Sequence, residues 1–312
     1  MRTDFELIEA LQSLRSTEQR DLPMKFSLAV AMIPLSQLVA LAKVAEECGF
    51  SSITMPDSLF FPERGATGYP YTADGVRMWD VKTPFVDPMI AAAFMGPGTS
   101  KIRFYPQVLE LSSRNPLLLA SQVGSVANLT GGRFGLGVGV GWAPEEFEWC
   151  GASPKDRGPR VDEMLEVLRL VLGGGMVEHH GKFFDFDRLQ MSPAPVDPVP
   201  IYIGGHSAAA LRRAARVGDG WTSATVSFAD LQALIARIGV LRVEYGRAES
   251  PFEIQAVCAD RFGLDGSLEL ADSGVTESIV IPWAMYGLGF DCDLEAKKDA
   301  VRRFSEEVIC KF

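Results

Sequence analysis

The sequence predicts an α/β fold: a single (β/α)8 TIM barrel over residues 1–312, with an insertion between strands 4 and 5. Three observations predict it. Short β-rich runs alternate with helical patterns along the chain, the order that builds a parallel sheet covered by helices. Eight such runs can be read, the number at which such a sheet closes into a barrel. No Gly/Ser- or Pro-rich linker divides the chain, and a barrel of roughly 250 residues or more commonly forms one domain. An open doubly wound sheet is the competing arrangement.

In chain order, Lys25–Ala31 reads as the first strand. Ser36 is placed to cap a helix with Leu38, Leu41, Ala42 and Ala45 on one face, and Gly49 ends it. Ser52–Met55 is the second strand. It opens into a long Gly-, Pro- and aromatic-rich segment from Pro56 to Asp87, a length that points to function. A helix is expected over Asp87–Phe94, a third strand over Lys101–Leu109, and a helix from the Asn115-Pro116 cap to about Leu129. Arg133–Val140 is the fourth strand. A helix follows with Val161, Met164, Leu165, Leu168 and Leu172 as its stripe, and then a hairpin over Met176–Phe186 turning at His180-Gly181. Val199–Ile203, Gly220–Ser223, Phe252–Val257 and Ser278–Trp283 are strands five to eight. Helices are expected over Ala208–Arg216, from a Ser227/Asp230 capping box to about Tyr245, and over Leu294–Ile309.

Composition narrows the function classes. Apolar residues make up 47% and charged residues 22%, enough for a large core. A net charge of −10 is the wrong sign for a partner that is a phosphate backbone, so no nucleic acid is expected. No apolar run is long enough to span a membrane. Residues 1–22 read as an N-terminal extension, charged and amphipathic, without the apolar stretch of a secretory leader. The five scattered cysteines fit reduced thiols of a cytoplasmic protein.

In a barrel, chemistry gathers at the carboxyl ends of the strands. Asp57 and Glu110 stand at two such ends. Each suits a general acid/base or a partner to a ring N–H; the alternatives are a helix cap or a salt bridge to Arg114 or Arg64. Gly135, Gly137, Gly139 and Gly141 alternate and so face one side of a strand, where a closely packed helix or a flat ring system would lie; Gly141, at the strand's end, suits a ligand. In Gly204-Gly205-His206-Ser207 a strand passes directly into a helix. Free N–H groups there suit a phosphate, with His206 as a donor beside it; the alternative is a tight turn capped by Ser207. His179 and His180 point to opposite faces of a strand and cannot chelate together, so no metal site is expected. No GxSxG elbow supports a Ser/His/Asp triad. Trp79, Trp142, Trp221, Trp283, Phe60, Phe61, Tyr69 and Tyr71 are candidates for packing or for an apolar substrate wall.

Thr130-Gly-Gly-Arg-Phe-Gly-Leu-Gly-Val-Gly-Val-Gly-Trp142, Arg160-x-x-Glu163-x-x-Glu166-x-Leu168, Pro200-Ile-Tyr-Ile-Gly-Gly205 and Arg216-x-x-Gly-Asp-Gly-Trp221 together resemble the luciferase-like monooxygenase family over roughly residues 24–245. The resemblance implies a barrel that binds FMN or the deazaflavin coenzyme F420, its phosphate near Gly204 to Ser207. It also implies a non-proline cis peptide at Gln107-Val108 beneath the ring. Asp57, Gln107, Val108, Gly141, Trp142, Gly204, Gly205, His206 and Ser207 are then the expected cofactor contacts, and Asp57, Ser58 and Glu110 the expected catalytic groups. Two departures stand out. Deazaflavin-dependent members carry Asp-His where this chain has Asp57-Ser58, and some members have Glu where this chain has Trp142. The loop Asp57–Pro62 with Tyr69-Pro-Tyr71 is more similar to the deazaflavin-linked members. The expectation is an F420-dependent oxidoreductase that transfers a hydride to or from a small organic substrate, and a homodimer. The alternatives are an FMN-dependent monooxygenase served by a separate flavin reductase, and a barrel altered in catalysis that only binds its cofactor.

Overall fold

The computed structural model describes residues 23–312 apart from Arg64, Ala66 and Ala73. The N-terminal extension and the Arg64 salt-bridge alternative lie outside the described residues. Along the chain the elements are β1 (Lys25–Ala29), α1 (Leu38–Glu47), β2 (Ser52–Met55), α2 (Pro88–Met95), β3 (Arg103–Pro106), β4 (Leu109–Glu110), α3 (Pro116–Leu129), β5 (Leu136–Gly139), α4 (Pro144–Glu148), α5 (Arg157–Leu172), β6 (Val177–His180), β7 (Asp185–Leu189), β8 (Ile201–Gly204), α6 (Ala208–Val217), β9 (Gly220–Val226), α7 (Phe228–Glu244), β10 (Glu253–Cys258), α8 (Gly263–Asp272), β11 (Glu277–Val280), α9 (Pro282–Met285) and α10 (Leu294–Glu307). They fall into two compact units, Met1–Thr54 with Ile201–Phe312, and Met55–Pro200.

In the first unit the strands lie in the order β2-β1-β11-β10-β9-β8, and every pair is parallel. Each strand is short and largely buried, as in a sheet covered by helices. The α1 face read from the sequence is the buried one: Leu38, Leu41, Ala42 and Ala45 are at most 2% exposed. Its start differs from expectation. A 3-10 turn, Leu35–Gln37, precedes the helix, so Ser36 lies inside that turn and makes no side-chain cap. Phe304 of α10 packs edge-on to Phe26 and tilted to Phe50, with centroids 5.6 and 5.8 Å apart. Of the aromatic residues read as packing or as a substrate wall, Trp221 and Trp283 are packing, both fully buried. Trp283 lies not at a strand end but in the helical turn α9, because Pro282 takes the first helical position.

In the second unit the expected third strand is broken into β3 and β4 around a cis Gln107-Val108 peptide bond. β4 pairs in parallel with β5, Leu109 opposite Val138 and Glu110 opposite Gly139. Asp87 and Asn115 cap α2 and α3, each accepting two backbone N–H bonds ahead of a proline at the first helical position. The α5 stripe buries Val161, Met164, Leu165 and Leu168; Val167 and Val171 complete it, while Leu172 is only half-buried. β6 and β7 form the expected hairpin, with a turn at 181–184 rather than at His180-Gly181. Neither α4 nor α8 was expected. Among the described residues no helix is long and apolar enough to cross a membrane.

Candidate active site

Within Met55–Pro200, the strand ends bring three carboxyl groups into one electrostatic neighbourhood. Asp57 follows β2, and its side chain is 4% exposed. Both its oxygens accept from Arg114 Nη2 at 2.9 Å, and Oδ2 also accepts from the Glu110 backbone N–H at 2.9 Å. Burial pushes the Asp57 carboxyl above its ordinary value, against the pull of Arg114. The geometry of Asp57 is therefore that of the ion pair weighed as the alternative.

Glu110 ends β4 and is 5% exposed. Its Oε1 accepts from the N–H groups of Ser112 and Ser113, and its Oε2 from the Ser113 N–H and hydroxyl. Burial raises it to about 7 despite those donors, with Glu146 adding repulsion. The turn it organises is clamped from outside. Arg160 donates to the carbonyls of Ser112 at 3.2 Å and Arg114 at 3.3 Å, which gives the Arg160 of the family-like motif a structural task.

Sequence reading missed the third group, Glu146. It lies in α4, only 6% exposed, and its Oε1 accepts from the Ser58 hydroxyl at 3.0 Å and the Leu59 N–H at 3.1 Å. Burial raises its pKa; Ser58 and Leu59 oppose that, Asp57 adds to it and Arg77 opposes it. The one signal was the Glu145-Glu146 pair directly after Trp142-Ala143-Pro144, on a helix too short to show periodicity.

The glycine alternation has a different cause from the helix or ring expected. A Cβ on Gly137 would overlap the Pro106 carbonyl, and one on Gly139 would lie 2.8 Å from Val108 Cγ2. On Gly141, whose φ is +77°, it would meet Glu110 Cγ and Phe147 at 2.5 Å. The neighbouring segment 106–110 therefore fills the space on that face. Beyond Gly141, Trp142 meets Tyr69 edge-on at 5.3 Å, and Tyr69 also packs on Trp79 at 5.0 Å and Tyr71 at 5.6 Å. Arg77 lies over both Phe61 and Trp142, at 4.6 and 4.9 Å. Phe60 instead stacks on Trp149 at 5.2 Å. The long loop is thus an aromatic cluster, in keeping with its composition.

In the other unit, β8 passes directly into α6 through Gly204–Ser207. Gly205 has φ +107°, a conformation that disfavours a side chain, and a Cβ there would crowd Ala210 at 3.2 Å. Its carbonyl accepts from the Trp221 indole at 2.9 Å, so a buried ring fixes the turn. Ser207 caps α6 by accepting from the Ala210 N–H at 3.2 Å, while Ser207, Ala208 and Ala209 are exposed. Burial lowers the His206 pKa, which keeps the ring neutral at physiological pH. Away from these places, His179 faces Glu163 at 3.3 Å and His180 faces Asp185 at 2.6 Å, so the two rings have separate partners. All five cysteines are free thiols.

Comparison with known proteins gives four further findings. A family model described as luciferase-like monooxygenase matches residues 12–260. An uncharacterised protein of Mycobacterium tuberculosis is 43% identical over 289 residues, 92% of this chain and 100% of that one. The F420-dependent glucose-6-phosphate dehydrogenase of Nakamurella multipartita is 31% identical over 189 residues, 60% of this chain and 51% of that enzyme. Among solved structures, an F420-dependent secondary alcohol dehydrogenase in complex with an F420-acetone adduct aligns with a TM-score of 0.73. The identity is 15%, over 92% of this chain and 99% of that one. That likeness shows the fold, the (β/α)8 barrel read from the alternation, with the β6–β7 hairpin in the insertion between its fourth and fifth strands.

Proposed function

The chain belongs to the luciferase-like monooxygenase family, and on that premise we propose that it is an F420-dependent oxidoreductase, passing a hydride between this deazaflavin and a small organic substrate. The observation that carries the reading is a group of buried carboxyls beside an aromatic wall, each raised by burial, and Glu110 raised to about 7. Hydride transfer to or from a carbonyl or alcohol needs a proton partner at such a pH. When bound, the deazaflavin supplies the two-electron chemistry itself. Similarity to the F420-dependent dehydrogenase of Nakamurella supports this choice of cofactor.

The residues fit the group. At Gly204–Ser207, exposed backbone at a helix start, with no Cβ on Gly205, suits the phosphate of the cofactor tail, and His206 lies in the same turn with its ring turned to the Ala224 backbone. Gln107, Val108 and Trp142 are the ring contacts in this reading, whereas the face of Gly141 is taken by Glu110 and Phe147. Asp57, paired with Arg114, holds the Glu110 backbone in place, and Ser58 stands where related enzymes carry a histidine. The same premise extends to a single cytoplasmic barrel domain working as a homodimer.

Titrating the purified protein with F420 and with FMN, and following fluorescence quenching and thermal shift, tests the cofactor. F420 binding is expected. Stabilisation by FMN alone would replace the reading with an FMN-dependent monooxygenase served by a flavin reductase. Gly205→Asp is expected to weaken F420 binding on the order of 100-fold, since like charges placed together cost several kcal/mol. Unchanged affinity would place the phosphate elsewhere.

A further inference from the structure

Three carboxyl groups share the strand ends of Met55–Pro200, and their six oxygens are not equivalent. Both Asp57 oxygens are taken by Arg114, and one of them also by Glu110 N–H. Both Glu110 oxygens are taken by donors of its own turn. Glu146 differs. Its Oε1 accepts from Ser58 and Leu59, whereas its Oε2 has no hydrogen bond among the described residues. It is therefore the one oxygen of the three carboxyls left without a hydrogen-bond partner among the described residues.

We propose that Glu146 is the acid/base of this site, giving or taking a proton through Oε2 while Ser58 and Leu59 fix the carboxyl through Oε1. The inference rests on the oxidoreductase reading. In the reducing direction the O–H bond of the Glu146 carboxylic acid breaks and an O–H bond forms on a substrate carbonyl oxygen. The carbonyl carbon receives the hydride pair of the reduced deazaflavin, the product is an alcohol, and water reprotonates the Glu146 carboxylate. The reverse direction takes the alcohol proton onto Oε2. Ser58 thus serves the group that replaces the missing histidine and carries no proton itself. The charged and titratable groups around Glu146 are Asp57 after β2, Glu110 at the end of β4, Arg77 in the aromatic loop and Glu145 on its own helix. Burial and the Asp57 charge hold the proton on, while the bonds from Ser58 and Leu59 and the Arg77 charge oppose that effect.

Glu146→Gln tests this, because the amide oxygen keeps both bonds from Ser58 and Leu59. Two readouts are needed. The first uses cofactor-free protein: a carbodiimide with an amine nucleophile labels protonated, reachable carboxyls, and peptide mass spectrometry reads the position. Glu146 is expected to label at least tenfold faster than Asp57 and Glu110 in wild type. Equal or slower labelling of Glu146 overturns the proposal. The second is turnover with F420. Glu146→Gln is expected to lower kcat about 100-fold, with F420 affinity and KM within about threefold, and to remove one limb of the kcat–pH profile. A retained limb overturns the proposal even if kcat falls, since a structural role would lower activity without removing a titration. Failure of wild type to bind F420 sinks the oxidoreductase reading instead, and the labelling order is scored independently of it.

Discussion

At Gly204–Ser207 the functional groups are backbone N–H and carbonyl groups, with one neutral ring; at Asp57, Glu110 and Glu146 they are titratable side chains. The first is fixed by local means: a left-handed glycine, a serine cap that accepts from the N–H three residues on, and an indole bond from Trp221. The second is fixed by partners far apart in sequence. Asp57 meets Arg114, and Ser58 meets Glu146. A turn of backbone dipoles keeps its character as pH changes, whereas buried carboxyls couple stability to protonation. The carboxyl region therefore ties its own folding to the proton that chemistry would use, and the glycine turn is mostly spared that coupling.

The largest effect should come from the ion pair. Arg114→Leu removes both guanidinium bonds from Asp57 and leaves its carboxyl, 4% exposed, with one N–H donor. Breaking one side of a buried pair costs about 3–5 kcal/mol. Urea denaturation at neutral pH should show a loss of that size, shrinking in acid as Asp57 takes up a proton. A loss below about 1 kcal/mol would mean that the carboxyl region is held by its turn hydrogen bonds instead.

Glu110→Gln probes the coupling itself. The folded pKa of Glu110 is about 7 against an ordinary 4.5, so the folded state binds the proton more tightly. Its contribution is then fully present below about pH 4.5 and is lost as pH rises through 7. The span corresponds to on the order of 3 kcal/mol. Stability measured from acid to neutral pH should fall in wild type and fall less in Glu110→Gln, the remaining slope belonging to Asp57 and Glu146. Parallel slopes would remove Glu110 from the account.

This division also decided what was readable in the sequence. The cap at Asn115-Pro116, the α1 face and the turn at Gly204–Ser207 depend on residues within a few positions of one another, and each was legible. Asp57 was legible as a strand-end acid, but its commitment to Arg114 is a tertiary fact. Glu146 was not legible, because α4 is a single short turn whose acidic residues look like those of any helix start. Close packing was read correctly at Gly137 and Gly139, whereas Gly141, read as open to a ligand, meets Glu110 and Phe147; what crowds the face is largely the irregular stretch 106–110, which the continuous strand read over Lys101–Leu109 concealed. Trp221 and Trp283 were counted among the aromatic candidates because they fall in the expected strands Gly220–Ser223 and Ser278–Trp283. The true end of β9 lies three residues beyond Ser223, and Pro282 ends β11 early, so both rings belong to the core.

His206 offers the finest test, because it is the one group of the glycine turn whose charge changes near neutrality. Burial depresses its folded pKa below the ordinary 6.5. Its contribution to stability is therefore present above about pH 6.5 and lost as pH falls through the lower folded value, the opposite sign to Glu110. His206→Asn should remove that small acid-side loss while leaving the Glu110-dependent decline towards pH 7 intact. The effect should be a fraction of the Glu110 one, since the ring is only part-buried. Denaturation of His206→Asn, Glu110→Gln and the double variant over one pH series would separate the two. Additive changes are expected, and non-additivity beyond about 0.5 kcal/mol would show that the two regions titrate as one.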